Sequence, residues 1–246
     1  MIADLLTMMW KEWKELLMQQ GGSRKGLLPM VIVPLGILGA LLPWQMGRAW
    51  VESPMSLAMW AWLPLMLMSS LIADSFAGER ERHTLETLLA SRLTDRVILF
   101  GKMGAVVSYG WGMTLVGILL GLMTVNLAHG HGEILLYSWK FALAILGVSL
   151  LGAWLAAGAG VLVSLRAATV RQAQQKLMIA IMLLLFAPVY GIKALPTEWQ
   201  KRIAEALMAG GTVRLVLTLV VILAVVDLSL IAASVSRFQR ARLILE

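Results

Sequence analysis

Six long apolar stretches, separated by short polar segments, run through this sequence of 246 residues. A helix that crosses a bilayer needs about 20 apolar residues, because the hydrocarbon core is about 30 Å thick and a helix rises about 1.5 Å per residue. The stretches cover residues 27–46, 55–73, 103–125, 141–165, 177–192 and 213–236. They predict an all-α integral membrane protein with six transmembrane helices, of which the fifth is short.

The composition indicates that lipid is the main solvent of this chain. Hydrophobic residues make up 59% of the sequence and charged residues 14%, whereas soluble domains carry about 25% charged residues. The mean hydropathy is +0.81. Since no polar segment is long enough to form a soluble domain, we expect one membrane domain over residues 1–246. The absence of cysteine excludes disulfides and thiolate metal sites.

Two segments outside the apolar stretches have the pattern of amphipathic helices that lie on a membrane surface. In residues 1–26, apolar side chains recur at helical spacing over residues 3–18, and a polar linker follows. Residues 197–209 have a similar pattern, with Trp199 on the apolar face. Tryptophan suits the boundary between headgroups and hydrocarbon. We therefore expect an N-terminal interfacial helix. Residues 197–209 indicate either an outer re-entrant helix before the last span or a different number of spans in that region.

The distribution of basic residues predicts the orientation of the chain. The net charge is +7; membrane proteins retain Lys and Arg in their cytoplasmic loops, so this charge indicates a bilayer rather than a nucleic acid as partner. With the N-terminus inside, 15 of the 21 Lys and Arg residues lie on the cytoplasmic side. We therefore predict a multi-pass protein of the cell membrane with both termini cytoplasmic. Four basic residues between positions 193 and 214 fall outside and oppose this rule.

The most polar part of the chain, residues 74–102, follows the second apolar stretch. Within it, residues 78–89 read Gly-Glu-Arg-Glu-Arg-His-Thr-Leu-Glu-Thr-Leu-Leu. At helical spacing the leucines share one face and the charged side chains another. This pattern predicts a charged helix start and an amphipathic helix that lies along the cytoplasmic membrane face and presents charge to a soluble partner. A solvated helix that only joins two spans explains the residues equally well.

The pattern in residues 78–89 resembles the signature of the type-2 ATP-binding-cassette (ABC) permeases. The residues that carry the resemblance are Gly78, Glu79, Arg80, Glu81, Thr84, Leu85, Glu86, Leu88 and Leu89. The family also commonly has a Gly-Lys pair at the start of the third span, and this sequence has Gly101 and Lys102. One departure is His83, where the family commonly has glycine.

The resemblance implies a single permease domain over residues 1–246, in which residues 74–102 form the cytoplasmic coupling segment. It implies an exporter, or less often a protein that moves lipids or ions. Two permeases, identical or related, would pair in the bilayer and bind two cytoplasmic ABC ATPase subunits. Glu79, Glu81 and Glu86 are then candidates for polar contact with the ATPase. The leucines at positions 85, 88 and 89 would anchor the coupling helix on the membrane.

The chain lacks the phosphate-binding loop that an ATPase needs. Its Gly101–Lys102 pair has neither the upstream glycine nor the following Ser or Thr of that loop. We therefore expect no catalytic residue and no directly bound cofactor in this chain, with ATP and Mg bound to the partner ATPase.

Asp227 lies near the middle of the sixth predicted span, where a carboxylate costs about 2.5–3.5 kcal/mol on insertion scales. It is either an ion, proton or substrate contact in a transport pathway or a hydrogen-bonded residue that holds helices together. We expect it to face the protein interior.

Other functions have weaker support in the sequence. The chain has no H-E-x-x-H motif and no histidine in a predicted span, which disfavours an intramembrane protease. The pair His129 and His131 lies in a glycine-rich loop and does not indicate a metal site. The alternative that remains is an ATP-independent helical channel or a membrane assembly scaffold.

Overall fold

The computed structural model describes residues 2–22, 27–84, 88, 90–208 and 211–238. Within these residues all regular structure is helical, which confirms the predicted all-α class. The shorter helices are α1 (Ile2–Gly22), α2 (Leu27–Gly36), α3 (Leu42–Met46), α4 (Arg48–Glu52), α6 (Glu79–Glu81) and α10 (Thr197–Met208). The long helices are α5 (Pro54–Ala73), α7 (Asp95–His129), α8 (Trp139–Ser164), α9 (Val170–Ala194) and α11 (Gly211–Arg237).

Four helical runs are long and apolar enough to cross a membrane. They are Pro54–Glu81, Asp95–His129, Trp139–Ser164 and Val213–Arg237. These runs contain the second, third and sixth predicted spans and all but the last residue of the fourth. By length and composition they indicate a multi-pass membrane protein.

The first and fifth predicted spans are not among these four helical runs. In residues 27–46, α2 continues through the π turn Ile37–Leu41 into α3, and this helix contains the apolar run Val31–Met46. The fifth predicted span lies within α9, whose first two turns carry Arg171, Lys176 and several glutamines. The prediction of six spans therefore remains a prediction.

Two π turns join shorter helices into longer ones. The π turn Ile37–Leu41 connects α2 to α3 and follows Pro34, which cannot donate a backbone hydrogen bond inside α2. The π turn Asp74–Gly78 connects α5 to α6, so that Pro54–Glu81 is one continuous helix. Turns of this kind are rare and often lie at functional sites. The second π turn leads directly into the motif in residues 78–89.

The continuous helix ends in a Schellman motif built on His83. The N–H of Thr84 donates to the carbonyl of Glu79 (2.9 Å), and the N–H of His83 donates to the carbonyl of Arg80 (3.1 Å). His83 has φ +57°, in the left-handed region that glycine adopts most easily. The backbone geometry therefore explains why a glycine suits this position.

We expect His83→Gly to raise the free energy of unfolding by about 1 kcal/mol, because glycine adopts the left-handed conformation without steric cost. The midpoint of thermal unfolding in detergent measures the effect. His129→Gly is the matched control: His129 ends the regular helix α7, where glycine should lower stability instead. A lower midpoint for His83→Gly would show that the imidazole makes a stabilising contact.

The core of the structure lies where α5, α8 and α11 pack together, with α7 alongside. A Cβ atom on Gly160 would collide with Ile72, and one on Gly152 would lie 3.2 Å from the carbonyl of Ala61. The two glycines let α5 and α8 approach closely, as small residues do in membrane helix pairs. At one end of this core, α1 packs across the first turns of α7.

Candidate functional site

The ammonium group of Lys102 lies at the centre of a buried ionic cluster. Lys102 is 1% exposed, and its Nζ atom lies 2.7 Å from Glu79 Oε1 and 2.9 Å from Glu12 Oε1. These side chains come from α7, α6 and α1 respectively. The ring of Phe76 lies 5.6 Å from the same nitrogen. The ammonium group of Lys102 therefore holds three elements together. They are α1, the end of the helix Pro54–Glu81 and the start of α7.

The glycine before Lys102 makes this meeting possible. A Cβ atom on Gly101 would lie 2.5 Å from Met8 Cγ and 2.8 Å from Met8 Cβ. Only the lack of a side chain at this position allows α1 to lie directly on α7. The Gly101–Lys102 pair thus has two complementary roles, since Gly101 admits α1 and Lys102 binds Glu12 of that helix.

Two lysines offset the carboxylates of the cluster. Lys11 Nζ lies 3.0 Å from Glu15 and 3.8 Å from Glu79. Burial opposes the charge of Lys11, but the hydrogen bond to Glu15 and the charges of Glu12 and Glu79 raise its pKa. Glu79 Oε2 is buried and accepts no hydrogen bond from any described residue.

The carboxylates of Glu12, Glu15 and Glu79 lie within 4.8 Å of one another, a spacing that could hold a metal ion. However, the ammonium groups of Lys11 and Lys102 lie against these same carboxylates. The two lysines therefore offset two of the three carboxylate charges, and the arrangement gives no independent indication of a metal.

Arg80 points in a different direction from Glu79 and binds the end of α8. Its guanidinium donates to the carbonyls of Leu165 (2.9 Å) and Ala167 (3.0 Å). The last carbonyls of a helix lack partners within the helix and carry partial negative charge. Arg80 therefore stabilises the C-terminus of α8 and fixes it to the motif.

Glu81 binds the start of the next helix. Its Oε2 atom accepts a hydrogen bond from the N–H of Val170 (3.2 Å), the first residue of α9. A carboxylate is favourable there because helix N-termini carry partial positive charge.

The remaining contacts of the motif are internal. Arg82 donates to both carboxylate oxygens of Asp74, at 2.9 and 3.2 Å. A side chain on Gly78 would overlap Asp74, so a bulkier residue would disturb this pair. We call residues 78–82 the motif segment. Glu79 bonds this segment to α7, Arg80 bonds it to the end of α8, and Glu81 bonds it to the start of α9. Lys102, the partner of Glu79, also binds Glu12 and so connects the segment to α1.

Of the other predicted motif residues, the structure describes Thr84 and Leu88. The hydroxyl of Thr84 donates to the carbonyl of Glu79 (3.3 Å), and Leu88 is half-buried against the core. Leu85, Glu86 and Leu89 lie outside the described residues. The predicted helix start at Gly78 is wrong: this residue lies near the end of the helix Pro54–Glu81.

Glu79 and Glu81 are not equally available to a soluble partner. Glu79 is 7% exposed and bonded to Lys102, so it lies inside the protein. Glu81 is exposed at the surface beside the N-terminus of α9. Direct contact of either residue with an ATPase remains a prediction.

Asp227 lies on the buried side of α11. The residue is 4% exposed, and neither carboxylate oxygen has a hydrogen-bond partner among the described residues. Further along α11, the hydroxyl of Ser234 lies 3.5 Å from the carbonyl of Gly158, so this side of the helix packs against α8. Asp227 is therefore directed into the protein rather than toward lipid.

Sequence reasoning missed the part that Glu12 plays in the cluster. Glu12 lies on the apolar side of an amphipathic helix, where a carboxylate normally needs a buried partner. Its partner Lys102 lies 90 residues further along the chain. In the sequence, the one indication of a buried partner is the position of Glu12 on the apolar side of α1.

No known protein-family model matches this sequence, and a search of curated proteins gives no significant match. The class defined by the structure is that of a helical multi-pass membrane protein.

Proposed function

We propose that this chain is the transmembrane subunit of an ABC transporter of the type-2 permease class. It would move its substrate out of the cell, using ATP hydrolysed by two separate cytoplasmic ATPase subunits that hold ATP and Mg. A second permease, identical or related, would complete the pathway across the cell membrane.

The observation that carries this proposal is the bonding of the motif segment. Residues 78–82 bind charged or backbone groups of three other helices, and Lys102 links them to a fourth. A partner that displaced this segment would pull on the ends of α1, α7, α8 and α9 together. A segment that only joined two spans would not need these bonds.

The positions of the helix ends support six crossings. The ends Glu81, Asp95, Ser164 and Val170 and the helix α1 are gathered around the motif segment. Pro54, Phe141 and Gly211, which begin or lie near the start of α5, α8 and α11, line one cavity at the opposite end of the bundle.

In the proposed topology the chain crosses between the two ends twice more. It passes from α1 to Pro54 through residues 27–46, and from Val170 to Gly211 through α9. The 25 residues of α9 would extend about 37 Å, enough to cross the hydrocarbon core. This arrangement, together with the predicted excess of cytoplasmic Lys and Arg, favours both termini in the cytoplasm.

Single-cysteine labelling tests this topology without background, because the chain has no cysteine of its own. In intact cells, a membrane-impermeant maleimide should label Ser53→Cys, Ser138→Cys and Glu198→Cys. Thr94→Cys and Ala168→Cys should react only after the membrane is permeabilised. If Glu198→Cys also required permeabilisation, α9 would not cross the membrane and the six-span arrangement would be wrong.

A further inference from the structure

A cavity of about 620 Å³ lies between α5, α8, α9 and α11. Its wall includes Ala58, Trp62, Phe141, Leu184 and Leu223, and no charged residue is among the described residues that line it. Small-molecule sites commonly have volumes of about 300–1,000 Å³ and mainly apolar walls with a few polar groups. The wall of this cavity fits a ligand with a large apolar part.

Asp227 does not itself line this cavity, but it follows the last residue of α11 in the cavity wall, Leu223, by four positions. On α11 the cavity is lined at Leu215, Leu219 and Leu223, which are four residues apart. Asp227 is the next position in this series, about one helical turn beyond Leu223 and about 40° around the helix. The apolar cavity therefore approaches a buried carboxylate that has no partner among the described residues.

The helices around Asp227 offer no cation at its depth. On α8 the titratable residue is Lys140, at the start of the helix, and on α11 itself the basic residues are Arg214 and Arg237. Arg214 and Arg237 lie about 20 Å and 15 Å away along the axis. The charged residues of α10 lie beside the start of α11.

The environment of Asp227 favours a positively charged ligand. An isolated carboxylate in apolar surroundings is costly, and a cation bound beside it would offset this cost.

We propose that the cavity and Asp227 together bind a lipophilic ammonium ion, with its hydrocarbon part in the cavity and its charge on the Asp227 carboxylate. Because both oxygens are covered, binding requires the Asp227 side chain to turn toward the cavity and Leu223 to move aside. The inference names a substrate class and in that sense rests on the proposed transport function. Binding itself needs no ATPase and is measured separately.

The first test uses the full chain in lipid nanodiscs, with radiolabelled dodecylammonium as the probe. Binding should be saturable above that of empty nanodiscs, and unlabelled dodecanol should compete poorly. Asp227→Asn should weaken binding about tenfold to hundredfold, the range for a hydrogen bond to a charged group. Glu198→Gln, which removes an exposed carboxylate outside the span, should leave the affinity unchanged.

The second test fills the cavity. Ala58→Phe adds a ring from an exposed alanine of the cavity wall, so it should reduce dodecylammonium binding without disturbing the core. Leu217→Phe is the matched control, because Leu217 is exposed on α11 and does not line the cavity.

The third test needs no variant. Dicyclohexylcarbodiimide reacts with protonated carboxyl groups in apolar surroundings, and peptide mass spectrometry locates its adduct. Asp227 should be modified, and dodecylammonium but not dodecanol should protect it. Equal binding of the amine and the alcohol, or unchanged affinity in Asp227→Asn, would overturn the proposal. Failure to find an ATPase partner would leave these binding results standing, so the two proposals can fail independently.

Discussion

Replacing Lys102 by methionine is expected to destabilise the protein by about 3–5 kcal/mol and to reduce the yield of folded chain sharply. The substitution removes the ammonium group that lies between Glu12 and Glu79 and leaves two buried carboxylates facing each other. Breaking a buried ionic cluster by removing one member is costly, because the remaining carboxylates have lost water and their closest partner. Only the ammonium group of Lys11 stays near them, at 3.5 Å from Glu12 and 3.8 Å from Glu79.

The size of this effect can be separated from a loss of packing by neutralising the cluster. The triple variant Lys102→Met, Glu12→Gln and Glu79→Gln should recover most of the stability, since no unpaired charge remains. Lys140→Met is the matched control, because Lys140 is exposed at the opposite end of the bundle. Thermal midpoints and size-exclusion profiles in detergent measure the series. Wild-type stability in Lys102→Met would show that the cluster does not hold the three helices together.

The double variant Arg80→Ala and Glu81→Ala is expected to disconnect ATP hydrolysis from movement of the membrane helices. The two changes remove the bonds that tie the motif segment to the end of α8 and the start of α9. The ATPase should still bind and hydrolyse ATP, while its closure would no longer shift these helices.

A cysteine at position 58, in the cavity wall, reports on this movement without knowledge of the substrate. In the complex with the ATPase, ATP should change the rate of maleimide labelling of Ala58→Cys. The double variant should reduce that change about fivefold or more, the usual lower end of coupling between sites. Arg48→Gln with Glu133→Gln, which removes an exposed Arg–Glu pair at the other end of the bundle, is the control. A full ATP response in the double variant would exclude residues 80 and 81 as the connection.

The sequence predicted the membrane helices well where apolar runs are long. The spans at 55–73, 103–125 and 213–236, and all but the last residue of the span at 141–165, lie within long helices, because a bilayer requires backbone groups to bond within the helix. The helix ends were placed less well, since polar residues can continue a helix when their partners are elsewhere in the chain. The second span continues to Glu81 because Lys102, Leu165 and Val170 bind its charged end.

The sequence revealed the motif, but it did not reveal which residues the side chains of the motif contact. Spacing along one helix predicted only that the charged side chains share a face apart from the leucines. The structure pairs Glu79 with Lys102, 23 residues further along, and connects Arg80 to carbonyls near residue 166. Contacts between distant segments depend on how the helices pack, and helical periodicity carries no information about them. The cavity between α5, α8, α9 and α11 was missed for the same reason.

Co-purification tests most directly whether this chain works with an ATPase. The tagged chain would be isolated from native membranes in mild detergent, and the proteins that accompany it identified by mass spectrometry. We expect a soluble subunit with a phosphate-binding loop among these proteins, in a ratio of about one to one with the permease. Recovery of the chain alone, or only with partners that lack such a loop, would contradict the account and favour a channel or an assembly scaffold.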